Sequence, residues 1–197
     1  MASDAAPEIQ AIEDALNTLE QEASSVAAGL TEDQGTWRER PDSWSISECL
    51  DHLATANEVY VRAMEPPAAR AREHGSRRRR PALPGFIGGW FVRTMEPPVK
   101  PAFKGKAPKL IRPRPSPALA DALRHFLESQ NLPRTFLRKY ADIDLARVRF
   151  PNPFVRGVRF SLATGLHVIV AHQRRHLWQA RRVREALASS NSRLRTP

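Results

Sequence analysis

Apolar residues recur at helical spacing in four stretches of the chain. From Pro7 to Leu30, Ile9, Ile12, Ala15, Leu16, Leu19, Ala23 and Val26 share one face, while Glu13, Asp14, Glu20 and Glu22 occupy the polar side. Gly29 marks the end of this first helix. A connector follows from Thr31 to Trp44. Ser45-Ile-Ser-Glu48 then has the form of a capping box, in which the Ser45 hydroxyl accepts the Glu48 N–H and the Glu48 carboxylate reaches back to the cap. Trp44 precedes that box at the position of a hydrophobic staple, facing Cys49 and its neighbours. The second helix runs through Leu50, His52, Leu53, Ala56, Val59, Tyr60 and Met64. Pro66-Pro67, which cannot donate to the helical ladder, is expected to end or kink it, with a short restart from Ala68 to Glu73.

The third helix is expected to open with Ser116 as N-cap and Pro117 at the first helical position. Its apolar face comprises Leu119, Leu123, Phe126 and Leu127. Pro133 should bend it before Phe136, Leu137 and Tyr140. Ser161 or Thr164 caps a fourth helix that runs to about Ala188, leaving Ser189 to Pro197 as a polar, frayed tail. The intervening Asp142 to Arg159 reads as irregular, centred on Phe150-Pro-Asn-Pro-Phe154. With no convincing alternating strand and no internal repeat, the expected fold is all-α: one four-helix bundle domain over residues 1–188, followed by a flexible tail over 189–197.

The segment between the second and third helices, residues 75–117, is a basic, proline-rich insert. It opens with Arg77-Arg-Arg-Arg80, passes an apolar patch from Phe86 to Met95, and carries prolines at 97, 98, 101, 108, 113, 115 and 117. Proline at this density excludes long regular elements and favours extended backbone. Phe86 to Val92 is too apolar for a free linker and reads as a short helical turn docked on the bundle. The rest would lie across the surface as a strap. An exposed apolar insert of this kind is also compatible with a homodimer.

Charge changes the picture of partners more than of fold. The formal net charge is +10 and the pI is near 10.9. Such a balance favours anionic partners, including nucleic acid, phosphorylated or carboxylated small molecules and acidic lipid, but it reads first as an ordinary arginine-rich surface, since charge alone speaks to solubility and association. No helix-turn-helix, zinc-finger or RNA-recognition motif accompanies the charge, which weighs against nucleic acid. The longest apolar runs fall well below the ~18 residues that a membrane span requires, so no membrane partner is expected. The first residues lack the basic start and apolar core of a secretory signal, and Cys49 stands alone; both point to the cytoplasm.

Candidate chemistry lies on the fourth helix. His172 and His176 are four residues apart, so both imidazoles leave the same face, within the apolar stripe Leu162, Ile169, Ala180, Val183 and Leu187. Arg174, Arg175, Arg181 and Arg182 take the other side. His52 sits likewise in the second helix's stripe of Cys49, Ala56 and Val59. An unpaired polar group in a core costs ~1–3 kcal/mol, so three buried imidazoles without a carboxylate partner need an explanation. A shared divalent metal supplies one; hydrogen-bonded core or surface histidines are the alternative. Gln-Arg-Arg at 173–175 excludes the His-Glu-x-x-His zinc proteases, and the Glu-x-x-His pairs of di-iron bundles are missing. Around these three, Cys49 reads as a ligand to the metal, a second-layer neighbour or a small core hydrophobe. Gln179, three residues after His176, can hydrogen-bond a bound water or a ligand histidine. His167 points to a different face, His125 and His74 read as solvent-facing, and Trp44 and Trp178 read as packing residues.

Together, Trp44-Ser-Ile-Ser-Glu-Cys-Leu-Asp-His-Leu53 and His172-Gln-Arg-Arg-His-Leu-Trp-Gln179 resemble the DinB-like superfamily, which includes thiol-dependent S-transferases and isomerases. The resemblance covers nearly the whole helical chain, with the proline-rich segment as a variable insert. It implies an up-down-down-up four-helix bundle binding one divalent ion, often nickel or zinc, through histidines matching His52, His172 and His176. It further implies a metal-activated water or a low-molecular-weight thiol such as bacillithiol or mycothiol, used by an S-transferase or a hydrolase; many relatives have no known activity. Arg77, Arg78, Arg79 and Arg80 could then attract an anionic thiol, its carboxylates suiting arginine. A non-catalytic metal-binding or structural bundle and a basic nucleic-acid-binding protein are the competing expectations.

Overall fold

The computed structural model describes residues 6–98 and 107–193, with side chains to 190. The central part of the expected strap, residues 99–106, and the last four residues of the expected tail lie outside the described residues. The elements are α1 (Pro7–Ala27), α2 (Glu32–Thr36), α3 (Ile46–Glu73), α4 (Phe86–Met95), a 3₁₀ turn (Lys109–Ile111), α5 (Leu119–Ser129), α6 (Asn131–Tyr140), β1 (Arg149–Pro151), β2 (Arg159–Ser161) and α7 (Leu162–Arg193). The fold is all-α apart from the short hairpin of β1 and β2.

α1 forms as its periodicity predicts, burying Ile9, Ile12, Leu16, Leu19, Ala23 and Val26, and Gly29 follows its end at φ +72°. α2 lies in the segment read as connector. Five residues are too few for a periodic signal, but Thr31 and Gln34 form a reciprocal capping box there. α3 starts on its predicted cap: the Glu48 N–H donates to Ser45 Oγ at 3.2 Å and the Ser45 N–H to Glu48 Oε2 at 3.0 Å. It does not end at Pro66-Pro67. The two carbonyls left without intrahelical donors belong to Arg62, which is exposed, and Ala63, which is partly so, within reach of water. Met64 and Ala68, on either side of the prolines, are fully buried. The buried stripe therefore continues through the prolines, and packing outweighs the two lost hydrogen bonds.

Three further boundaries differ from expectation. α5 begins at Leu119 rather than Pro117, because Ser116 takes φ +45° and Ala118, at the cap, has no side-chain acceptor. Glu32 of α2 serves instead, its carboxylate accepting the Leu119 N–H at 2.6 Å and the Ala120 N–H at 3.2 Å. The third helix breaks at Gln130, three residues before Pro133, so the expected bend becomes two separate helices. The stretch read as irregular contains the antiparallel pair β1–β2, with Phe150 opposite Phe160. Asn152 Oδ1 accepts the N–H groups of Phe154 and Val155, and Gly157 takes φ +81°, which turns the chain between the strands. Directly after the hairpin, Ser161 Oγ accepts the Thr164 N–H at 3.1 Å, the predicted cap of α7. That helix continues through the first residues of the expected tail to Arg193.

Side-chain pairings fix the direction of each helix. α3 and α7 run antiparallel: His52 meets His172, Asn57 meets Gln173, and Met64 meets Gly165. α3 and the α5–α6 pair run parallel, with Asn57 on Ser129 and Glu65 on Tyr140. α1 and the α2 that follows it run antiparallel to α5–α6, as Glu20 of α1 pairs with Arg134 of α6 and Glu32 of α2 accepts the Leu119 N–H at the start of α5. The arrangement is up-down-down-up. Two consecutive parallel helices must be joined by a chain that returns the full length of the first, about 40 Å for the 28-residue α3. The long proline-rich insert makes that return. α4 docks on α7, where Gly88 lies so close to Thr164 that a Cβ would not fit, and Phe91 packs on Phe160 with centroids 5.0 Å apart.

Candidate metal centre

The antiparallel pairing of α3 and α7 brings three imidazoles together. Ring centroids lie 4.8 Å apart for His52 and His172, 4.5 Å for His52 and His176, and 4.7 Å for His172 and His176. One ring nitrogen from each lies within 4.8 Å of the other two. Three points so spaced fall within about 2.8 Å of a common centre, against zinc–nitrogen bonds of about 2.0–2.1 Å. Each ring needs to move less than about 1 Å to bind a shared ion.

Hydrogen bonding sets the tautomers of two of the three histidines in the sense metal binding requires. His52 Nδ1 lies 2.5 Å from the Ile111 carbonyl, which can only accept, so Nδ1 carries the proton and Nε2 offers its lone pair. His176 Nδ1 faces Gln179 Oε1 at 3.0 Å, with the same consequence. His52 Nε2 then points at His172 Nε2, 3.1 Å away. Two such nitrogens coexist only with a proton or a cation between them.

Burial works in the same direction. Desolvation, with a contribution from the Arg175 charge, pushes the His52 pKa down from 6.5 to about 4, against the opposing pull of its bond to Ile111. Desolvation also holds His172 and His176 well below the ordinary histidine range, and repulsion from neighbouring imidazoles and Arg175 adds to it. All three rings are neutral at pH 7, the form that binds metals.

The surroundings come from the strap and the second-helix cap. Trp44 packs against His52 and His176 at centroid distances of 4.7 and 5.4 Å, so this packing residue walls the histidine cluster. Arg114 clamps the buried Asp51, its backbone N–H on Oδ2 at 2.8 Å, and Nε and Nη2 on Oδ1 at 2.9 and 2.6 Å. Burial alone would raise the Asp51 pKa, but the hydrogen bonds and charge of Arg114 hold it below the usual carboxylate range. The carboxylate beside His52 in sequence is thus committed to the strap. Behind the rings, Gln173 Nε2 donates to Asn57 Oδ1 at 3.0 Å, Gln130 Nε2 donates to Gln173 Oε1 at 2.6 Å, and Asn57 Nδ2 donates to Ser129 Oγ at 3.0 Å. This buried network ties α3, α5 and α7 together.

Of the other residues singled out in the sequence, Gln179 is placed on His176. Cys49 is fully buried, its thiol pushed up by desolvation, and is not among the converging ligand atoms. His167, partly buried on another face, bonds the Ala82 carbonyl at 3.2 Å. His74 is exposed, and Trp178 stacks with Arg182. His125, expected to face solvent, is partly buried: Nε2 pairs with Glu58 at 2.8 Å and Nδ1 lies 3.6 Å from Asp51. Arg77 to Arg80 are exposed; Arg78 pairs with Glu8 of α1, and Arg77 reaches the Ser76 carbonyl at 3.1 Å. Sequence reasoning missed the Ile111 carbonyl, the Asp51–Arg114 clamp and the amide network. Asn57 and Gln173 were visible as polar residues beside apolar stripes, whereas a backbone carbonyl leaves no side-chain signal.

A family model described as the DinB superfamily matches residues 15–180. The chain belongs to the DinB superfamily. The matched span includes all three histidines, the strap and the amide network. No curated protein and no solved structure gives a match. In this DinB-superfamily bundle, the three-histidine group has the donor chemistry and the spacing that a divalent ion needs.

Proposed function

We propose that this DinB-superfamily protein is a divalent-metal-dependent enzyme of S-transferase or hydrolase type, with His52, His172 and His176 as the ligands. One observation carries this reading. Three neutral imidazoles, two buried and His172 partly so, converge with the Nδ1–H groups of His52 and His176 already anchored, leaving the Nε2 lone pairs of those two aimed inward. Bound there, a zinc or nickel ion supplies Lewis acidity that favours the anionic form of a water or of a low-molecular-weight thiol.

The chain's own residues do the rest. Ile111 and Gln179 hold the His52 and His176 rings in orientation, as outer partners of metal-binding histidines do. Trp44 packs on His52 and His176, and Ile111 of the strap lies against His52, so both cover the cluster. His172 is the least buried of the three, so a small substrate or thiol approaches from its side. Cys49, buried and protonated, takes no part as a nucleophile. A small thiol cosubstrate accords with a cytoplasmic setting.

The test is turnover by protein reconstituted with zinc or nickel, assayed for thiol addition to electrophiles and for ester or amide hydrolysis. Activity that disappears on chelation and returns with metal supports the proposal. Metal-loaded protein inert across both classes moves it to the second reading, a non-catalytic metal-binding bundle. That second reading is favoured by the engagement of Asp51, the carboxylate next to His52 in sequence, with Arg114, which keeps it from serving as a base.

A further inference from the structure

The charge of this protein is concentrated in one place. Residues 75–117 contain eleven lysines and arginines against the single Glu96, while the rest of the chain carries twenty residues of each sign. The whole formal excess of +10 therefore belongs to the strap. Three of its lysines, at 100, 104 and 106, lie outside the described residues.

The same segment presents the most exposed apolar side chains of the described residues. Leu83, Phe86, Ile87 and Trp90 are 51, 88, 75 and 54% exposed. Phe86, Ile87 and Trp90 form a ridge on one face of α4, Trp90 lying three residues after Ile87 and four after Phe86, and Leu83 lies in the non-helical lead-in just before it. The opposite side of α4 is used for docking, through Gly88 and Phe91 on α7 and β2. The ridge thus faces outward on a helix anchored from behind. Arg93 continues it by one turn, and Arg79 and Arg80 stand just before it. All three are exposed and none is ion-paired among the described residues.

We infer that the α4 ridge is a docking surface for an anionic lipid membrane. The helix lies in the interface, with Phe86, Ile87 and Trp90 among the acyl chains and Arg79, Arg80 and Arg93 among the headgroups. An aromatic-aliphatic face flanked by arginines is the composition that suits such a surface, and each basic residue near it adds to binding. Charge decides against the other occupants. A second copy would bring like charge against like, since among the described residues of the segment the one carboxylate, Glu96, is paired with Arg174. Nucleic acid would satisfy the arginines but leave Phe86 and Ile87 in water. The contact is peripheral, in keeping with the absence, among the described residues, of any helix long and apolar enough to cross a membrane. The inference is independent of the metal reading.

The experiment is co-sedimentation of the full chain with vesicles of phosphatidylcholine, alone or with about one third phosphatidylglycerol. Binding to the anionic vesicles should exceed binding to neutral ones by about tenfold or more and fall steeply with salt. Phe86→Ser/Trp90→Ser should lower it about tenfold with unchanged circular dichroism, because exposed substitutions leave the fold intact. Arg79→Glu/Arg93→Glu should do the same. The inference is overturned by equal or absent binding to both vesicles, or by full binding of Phe86→Ser/Trp90→Ser. It is also overturned if light scattering shows a dimer that this variant abolishes without vesicle binding, or if DNA or RNA binds where vesicles do not.

Discussion

Arg114→Ala removes the clamp that holds the strap over the histidines, and its consequences can be worked from the structure. Asp51 is 1% exposed and receives three hydrogen bonds from Arg114, one from the backbone and two from the guanidinium. Breaking a fully buried ion pair costs ~3–5 kcal/mol, because the remaining charge is stranded. The Arg114 side chain is 62% exposed, so solvent screens its share and the loss falls to about 2 kcal/mol. The sign with pH follows from the lowered Asp51 pKa. The contribution is present above the ordinary aspartate value of 3.8 and is lost as pH falls through the lower folded value. The second consequence is for the candidate metal centre. The Ile111 carbonyl that orients His52 lies three residues before Arg114, so loosening the strap should weaken metal binding ~10-fold or more, as loss of an outer partner does. The assay is urea unfolding at pH 7 and at about pH 2.5, below the ordinary aspartate value, together with zinc competition at pH 7, for Arg114→Ala, Asp51→Asn and the double variant. The clamp predicts strong coupling between the two positions and matched losses of stability and affinity. If Arg114→Ala behaves like Arg124→Ala, an exposed arginine on α5, the reasoning is wrong.

Two further outcomes are expected. Gln173→Leu deprives Gln130 and Asn57 of buried partners and should cost ~2–3 kcal/mol by calorimetry; a loss below ~0.5 kcal/mol would show that the network is not coupled to folding. In metal-free protein, the unfolded chain takes up protons at histidine below about pH 6.5 while folded His52 resists until about 4, so stability declines across that window. His52 alone contributes about 3 kcal/mol to that decline, read by urea unfolding at pH 7, 5.5 and 4.5, and a flat profile would contradict it.

The bundle was legible because its signals are local and repeated. The stripe from Ile9 to Val26 and the Ser45–Glu48 box are set by residues within a turn or two of one another, and the structure forms both as read. Misreadings arose where tertiary packing overrode a local rule. Pro66-Pro67 looks like a stop, but Met64 and Ala68 are buried on either side and carry the helix through. Ser116-Pro117 looks like a start, but the acceptor for the α5 N-terminus is Glu32, more than eighty residues away. Strands of three residues, as in β1 and β2, carry too little alternation to be seen. The histidine cluster was readable from imidazoles on apolar stripes together with the family resemblance. Its outer layer was not, since the Ile111 carbonyl has no side-chain signature and Asp51–Arg114 is a pairing across 63 residues.

The central claim is that His52, His172 and His176 share one divalent ion, and elemental analysis of the purified protein tests it most directly. The account predicts about one equivalent of zinc or nickel per chain in the unaltered protein. The His172→Ala/His176→Ala variant should lose most of it while retaining helical circular dichroism. Metal well below one equivalent after reconstitution, and unchanged in that variant, would contradict the account.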